Sequence, residues 1–255
     1  MRALSAQEAT IDAGIVLLPI RCTATARLKG FEVLARKPET SRPANVRSDK
    51  SEYSPAAVRQ LAQVVSGELA SLINGHGLKL WIPLSLEALR SDDSAIALFD
   101  GLAATELSGG AIIFDLEARD ILSSIASAND DVLAALTWQD ARIAVSGLSD
   151  FASMETLLAD ERVSEVRLPA ALCSRAPPPG FRRRADGSWL AEAVSRVHGR
   201  GLLASALDVS DSQLCHEIIV AGFDLIQGDL VGRPHSVEAT IDQMVAALPF
   251  GRTLL

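Results

Sequence analysis

Short apolar runs alternate with longer amphipathic stretches along the chain. Eight runs read as strands: Ile15–Ile20, Gly30–Arg36, Leu78–Ser85, Ala111–Glu117, Arg142–Ser146, Glu165–Leu168, Gly201–Leu207 and Leu225–Gly228. They are nearly continuous in hydrophobicity, as expected of parallel strands covered by helices. Helical periodicity predicts Pro55–Ile73, Asp92–Leu107, Ala118–Leu136, Asp150–Ala159, Ser188–His198, Ser210–Ala221 and Ser236–Leu248 in the gaps. Ser54 precedes Pro55 as a cap before a first-turn proline, and Ser210 and Ser236 are further candidate N-caps. Strands alternating with helices over 255 residues predict an α/β fold, a (β/α)8 barrel. An open doubly wound sheet is the other architecture the pattern allows. Only the segment 21–29 separates the first two strands, which is short for a parallel crossover. That pair is therefore predicted to be antiparallel.

Composition narrows the class. Hydrophobic residues make up 48% and charged residues 22%, enough for one sizeable core. The expected organisation is a lead-in, 1–14, followed by a single domain, 15–255, standing alone as a barrel. No run reaches the roughly 20 apolar residues of a membrane span, and Ile15–Ile20 is too short for a signal-peptide core. A cytoplasmic protein is the expectation. A net charge of −8 argues against general attraction to nucleic acid. The cluster Arg182-Arg183-Arg184 reads as a solvated loop, with a docking patch for an acidic partner as the sharper alternative. Cys22, Cys173 and Cys215 match no CxxC spacing and suggest reduced thiols. Four scattered histidines, including His198 and His216 on predicted helices, give no zinc pattern. No glycine-rich phosphate-binding fingerprint follows a strand.

In a barrel of this kind, function sits at the C-terminal ends of the strands. Glu32 and Arg36, Asp115 and Glu117, Arg167 and Gln227 are predicted to gather there. Alternation along a strand places Glu32, Leu34 and Arg36 on one face, and Asp115 with Glu117 on one face. Such a mouth can bind a phosphate ester or form a closed salt-bridge network; the residues by themselves favour the network slightly.

The run Gly30-Phe31-Glu32-Val33-Leu34-Ala35-Arg36 resembles the signature strand of the EAL family, the cyclic-di-GMP phosphodiesterase domains, with Val33 for the middle alanine. The likeness extends in order from about Ile15 to Ser236. Leu17-Leu18-Pro19-Ile20 is similar to the opening segment, with Leu18 where a ligand-contacting Gln stands. Trp81-Ile82-Pro83-Leu84-Ser85 resembles the Val-Asn-Leu-Ser segment, with Pro83 replacing a metal-binding Asn. Ile113-Phe114-Asp115-Leu116-Glu117 is similar to Leu-Glu-Ile-Thr-Glu, Asp115 taking the first Glu position and Ala118 the second. Arg142 to Gly147 resembles the strand ending in a paired Asp-Asp, here Ser146-Gly147. Val166-Arg167-Leu168 is similar to Ile-Lys-Ile, Arg167 replacing the catalytic Lys. In Leu203 to Asp208, Ser205 replaces a catalytic-centre Glu. Phe223 to Pro234 resembles the closing segment, retaining Gln227-Gly228 before Arg233-Pro234.

The resemblance implies an EAL-type barrel with an antiparallel first strand. In active relatives, paired magnesium ions activate a water against a phosphodiester. Here Pro83, Ser146, Gly147 and Ser205 stand at lost positions, and Glu32, Asp115 and Arg167 are vestigial. Magnesium wants hard oxygen ligands, Asp115 is one methylene short, and a guanidinium does not replace a lysine. Neither turnover nor a resident metal is expected. The preferred expectation is a degenerate, catalytically inactive member acting as a protein-interaction adaptor; degenerate bacterial relatives serve as regulators, including regulators of motility. The alternative is a metal-independent cyclic-di-GMP receptor using Leu34, Arg36, Gln227, Arg233 and Pro234. The family also implies pairing of two copies through helices near strands five and six.

Overall fold

The computed structural model describes residues 15–35, 67–89, 92–127, 131–137, 140–148, 152–174 and 189–247. The lead-in 1–14, the Ser54–Pro55 helix start, Arg36, Asp150 and the arginine cluster at 182–184 lie outside the described residues.

The strands are β1 (Ile15–Cys22), β2 (Leu28–Ala35), β3 (Lys79–Leu84), β4 (Ile112–Glu117), β5 (Arg142–Ser146), β6 (Val163–Pro169), β7 (Leu203–Leu207), β8 (Leu225–Ile226) and a short β9 (His235–Ser236). β2 to β8 pair in sequence order and in parallel. β1 runs antiparallel to both β2 and β8 and closes an eight-stranded barrel. The open-sheet alternative is thereby excluded. β9 adds to the outer part of β1 through Val16↔Ser236 and Leu17↔His235.

The β1–β2 hairpin follows from its short link. Cys22 and Ala26 close the turn by backbone hydrogen bonding, with Ala26 at a positive φ of 56°. The last strand is shorter than its apolar run suggests. Gly228 has φ 141° and lies against the Val209 backbone, so the chain bends away there.

The described helices are α1 (Glu68–Gly75), α2 (Leu86–Leu89), α3 (Asp92–Ala103), α4 (Ala118–Ser127), α5 (Asp131–Leu136), α6 (Ala152–Leu158), α7 (Ala170–Cys173), α8 (Leu190–His198), α9 (Ser212–Ala221) and α10 (Val237–Ala247). The helix expected over Ala118–Leu136 is described as α4 and α5, and 128–130 between them lie outside the described residues. The cap of α9 is Asp211 rather than Ser210: the Asp211 carboxylate accepts from the Leu214 N–H at 2.8 Å. Ser236 does cap α10, accepting from the Ala239 N–H at 3.2 Å. None of the described helices is long and apolar enough to cross a membrane.

Strand alternation separates two apolar populations. Leu80, Ile82, Ile112, Phe114, Ile143 and Val145 face the helices and form the main core. Ile20, Trp81, Ile113, Ala144 and Leu225 form a separate cluster inside the barrel. The positions two residues beyond them therefore also face the lumen.

Gly30 shows why the signature strand opens with glycine. Its φ is 153°, and a Cβ there would collide with the Lys79 carbonyl oxygen of β3. Gly30→Ala is expected to cost more than about 2 kcal/mol, because it combines backbone strain with a steric clash against a sheet neighbour. Urea unfolding checks this.

Candidate functional site

Four strands each place one polar side chain at the same level of the lumen: Glu32 from β2, Asp115 from β4, Arg167 from β6 and Gln227 from the end of β8. All four are at most 1% exposed. Alternate strands supplying one layer is the packing rule of such barrels, where branched apolar residues normally fill the layer.

Arg167 organises it. Its Nη1 donates to Asp115 Oδ2 at 2.6 Å. Its Nη2 donates to Glu32 Oε2 at 3.2 Å and to Gln227 Oε1 at 2.8 Å. Gln227 Nε2 donates in turn to Glu32 Oε2 at 2.5 Å, closing a ring. Burial alone would loosen the guanidinium proton, but the Asp115, Glu32 and Glu165 carboxylates oppose this and raise its pKa above the ordinary arginine value. Arg167 therefore stays charged.

Glu165 was not anticipated at this site. It lies two residues before Arg167 on β6, one layer deeper, and its Oε1 is 3.5 Å from Arg167 Nε. Trp81 Nε1 donates to its Oε2 at 2.9 Å, and Ser205 Oγ donates to its Oε1 at 2.5 Å. Desolvation pushes the Glu165 carboxyl above its usual range despite the help of Arg167, Ser205 and Trp81. The clue in the sequence is the shared parity of Glu165 and Arg167 in a buried strand. Taking Glu165 as the strand's first residue concealed it; β6 begins at Val163.

The other singled-out positions fall around this layer. Leu18 pairs with Glu32 across the β1–β2 ladder and is buried. Pro83 lies beside Asp115 in register, and Ser205 lies beside Arg167. Ser146 ends β5, buried, opposite Glu117. Gly147 follows at φ 71°, and a Cβ there would collide with the Glu117 carboxylate. The positive φ favours glycine at 147, and the Glu117 carboxylate lies beside it. Leu34 is buried on the same strand face as Glu32. Arg233 is exposed and Pro234 partly buried in the link between β8 and β9. The structure thus brings Glu32, Asp115, Arg167 and Gln227 into direct contact. Arg233 and Pro234 belong to a separate rim segment.

All three cysteines are free. Burial pushes the Cys173 thiol up to about 12. His198 does lie on a helix, at the end of α8, and its Nε2 sits 2.8 Å from Asp224 Oδ2.

No family model matches this sequence, and no curated protein matches it. Solved structures do. The EAL domain of Mycobacterium smegmatis DcpA aligns with a TM-score of 0.67 at 15% identity, covering 94% of this chain and 97% of that one. The EAL domain of Xanthomonas citri FimX, in complex with cyclic-di-GMP, gives 0.64 at 16% identity over 87% of each chain. The EAL enzyme Bd1971 in its cAMP- and cyclic-di-GMP-bound form gives 0.71 at 13% identity over 90% of this chain, which spans 64% of that one. At these identities the likeness establishes the fold, an EAL-type barrel.

Two variants test the network. Arg167→Met leaves buried carboxylates without their cation and is expected to cost about 3–5 kcal/mol; a urea midpoint equal to that of the parent would refute the cost. Glu165→Gln reads the pH term. A folded-state carboxyl held above its ordinary 4.5 favours folding below that pH and loses this contribution as pH rises through the raised value. Stability from pH 4.5 upward is therefore expected to decline less in Glu165→Gln than in the parent. Unfolding midpoints measured across pH 4.5–7 check the difference.

Proposed function

We propose that this protein is a non-catalytic EAL-fold regulator that acts through protein contacts, with Arg167 taking the charge-balancing role that divalent ions have in active relatives. The observation carrying this reading is the guanidinium held between Asp115 and Glu32 at 2.6 and 3.2 Å. Both residual carboxylates already face a permanent cation. Pro83, Ser146, Gly147 and Ser205 add no carboxylate. Magnesium needs several hard oxygens in near-octahedral array. This donor set does not fit a pair of such ions, and no hydrolytic step is assigned to it. Truncating a metal ligand's supporting partner already costs about 10–100-fold in affinity or activity; here the ligands themselves are replaced.

A metal-independent cyclic-di-GMP receptor is the second reading, favoured by neighbours solved with that nucleotide. In this reading Arg36 pairs with a phosphate, with Leu34, Arg233 and Pro234 around it. Gln227 contributes little, because both ends of its amide are spent on Arg167 and Glu32. Leu18 offers no polar contact. The adaptor reading is therefore preferred.

Titration calorimetry with cyclic-di-GMP, with and without magnesium, separates the readings. No binding and no linear dinucleotide are expected. Magnesium-dependent hydrolysis would overturn both readings. Binding without turnover would establish the receptor, and Arg36→Ala is then expected to abolish it.

A further inference from the structure

The N-terminal end of the barrel, opposite the layer built on Arg167, holds a cavity of about 520 Å³. This volume is in the range of small-molecule sites. Its lining comes from the beginnings of the parallel strands and the end of β1. Three cations line it: Lys29, Lys79 and Arg142. Lys79 Nζ donates to the Gly110 carbonyl at 2.5 Å. Among the described residues, Lys29 and Arg142 take part in no ion pair.

The wall between these cations is apolar. It includes Leu203 and Ile219, which are 39% and 45% exposed. Leu203 opens β7, and Ile219 lies in the last turn of α9. They give the concavity an apolar side that an apolar ligand body can cover.

Two carboxylates, Asp224 and Glu165, also line the cavity, one fewer than the cations. Asp224 is occupied: its Oδ2 accepts from the Ala204 N–H at 2.8 Å and lies 2.8 Å from His198 Nε2. Glu165 forms the floor, almost wholly buried and hydrogen-bonded to Trp81 and Ser205, and desolvation favours its neutral form. Cations thus outnumber carboxylates in the lining, three to two, in a chain of net charge −8. Concave surfaces with low-dielectric walls concentrate the field of such an excess and draw in counter-ions.

We infer that the N-terminal end of the barrel is a binding site for a small organic anion with an apolar body and one oxyanion head group. The head group meets Lys29, Lys79 and Arg142, and the body lies against Leu203 and Ile219. Glu165 links the cavity floor to Arg167, but the side chains that meet the anion, Lys29, Lys79, Arg142, Leu203 and Ile219, take no part in the function proposed above.

The test uses the full chain and 8-anilinonaphthalene-1-sulfonate, with uncharged N-phenyl-1-naphthylamine as the matched control. One sulfonate probe is expected to bind per chain, and the neutral control at least about tenfold more weakly. Lys29→Glu and Arg142→Glu replace attraction by repulsion and are each expected to weaken the probe about tenfold, with the urea midpoint unchanged. Bound probe is expected to slow iodoacetamide alkylation of Cys22, which lines the cavity, and not of Cys215. Displacement by octanoate or by octyl phosphate supports the site and identifies the head group. Equal affinity of the neutral control, indifference to both charge reversals, or unprotected Cys22 would overturn the proposal. So would displacement by a hexaglutamate peptide with no displacement by either small anion, which would make the surface a protein-docking site.

Discussion

A guanidinium with no access to water must be neutralised where it stands, and that demand organises the centre of this barrel. Desolvating an ion costs several kcal/mol even after relaxation, and the cost is offset only by close, well-aligned partners. Arg167 has them on three sides: Asp115, Glu32 and Gln227, with Glu165 behind its Nε. These residues come from the four even-numbered strands. The closure of the barrel and the satisfaction of the charge are therefore one requirement. A shift in register of any contributing strand would turn its polar group toward the helices, into an apolar core.

The same arrangement bears on chemistry. Glu32 and Asp115, the acidic side chains of this layer, are spent inward on an internal cation. Arginine suits this task where lysine does not, since its planar fork engages several acceptors at once and keeps its proton. Leu18 and Pro83 line the layer without polar groups, and the Glu117 carboxylate lies beside Gly147. The opposite end of the barrel differs: among the described residues, Lys29 and Arg142 there take part in no ion pair.

Much of the architecture could be read before any coordinates. Near-continuous apolar runs mark parallel strands, because burial on both faces removes the polar alternation. The short link between the first two runs forces a hairpin, because so few residues cannot carry a crossover. Boundaries were less accessible. The last strand ends at Ile226, where Gly228 turns against Val209. Such a break depends on neighbours remote in sequence. The cap at Asp211 in place of Ser210 depends on a one-residue difference in where the helix begins.

At the site, position at the strand ends was enough to place Glu32, Asp115, Arg167 and Gln227 at one mouth, and residue chemistry gave the expectation of few hard oxygen ligands. The folded barrel alone decided that one arginine engages all three of the others. It also decided that Glu165 joins them, and that a cavity lined by Lys29, Lys79 and Arg142 lies at the far end. Those outcomes turn on distances of a few ångströms between strands separated by fifty to two hundred residues. Side-chain alternation specifies direction along each strand, whereas the stagger between strands, set by closure of the whole sheet, determines which groups meet.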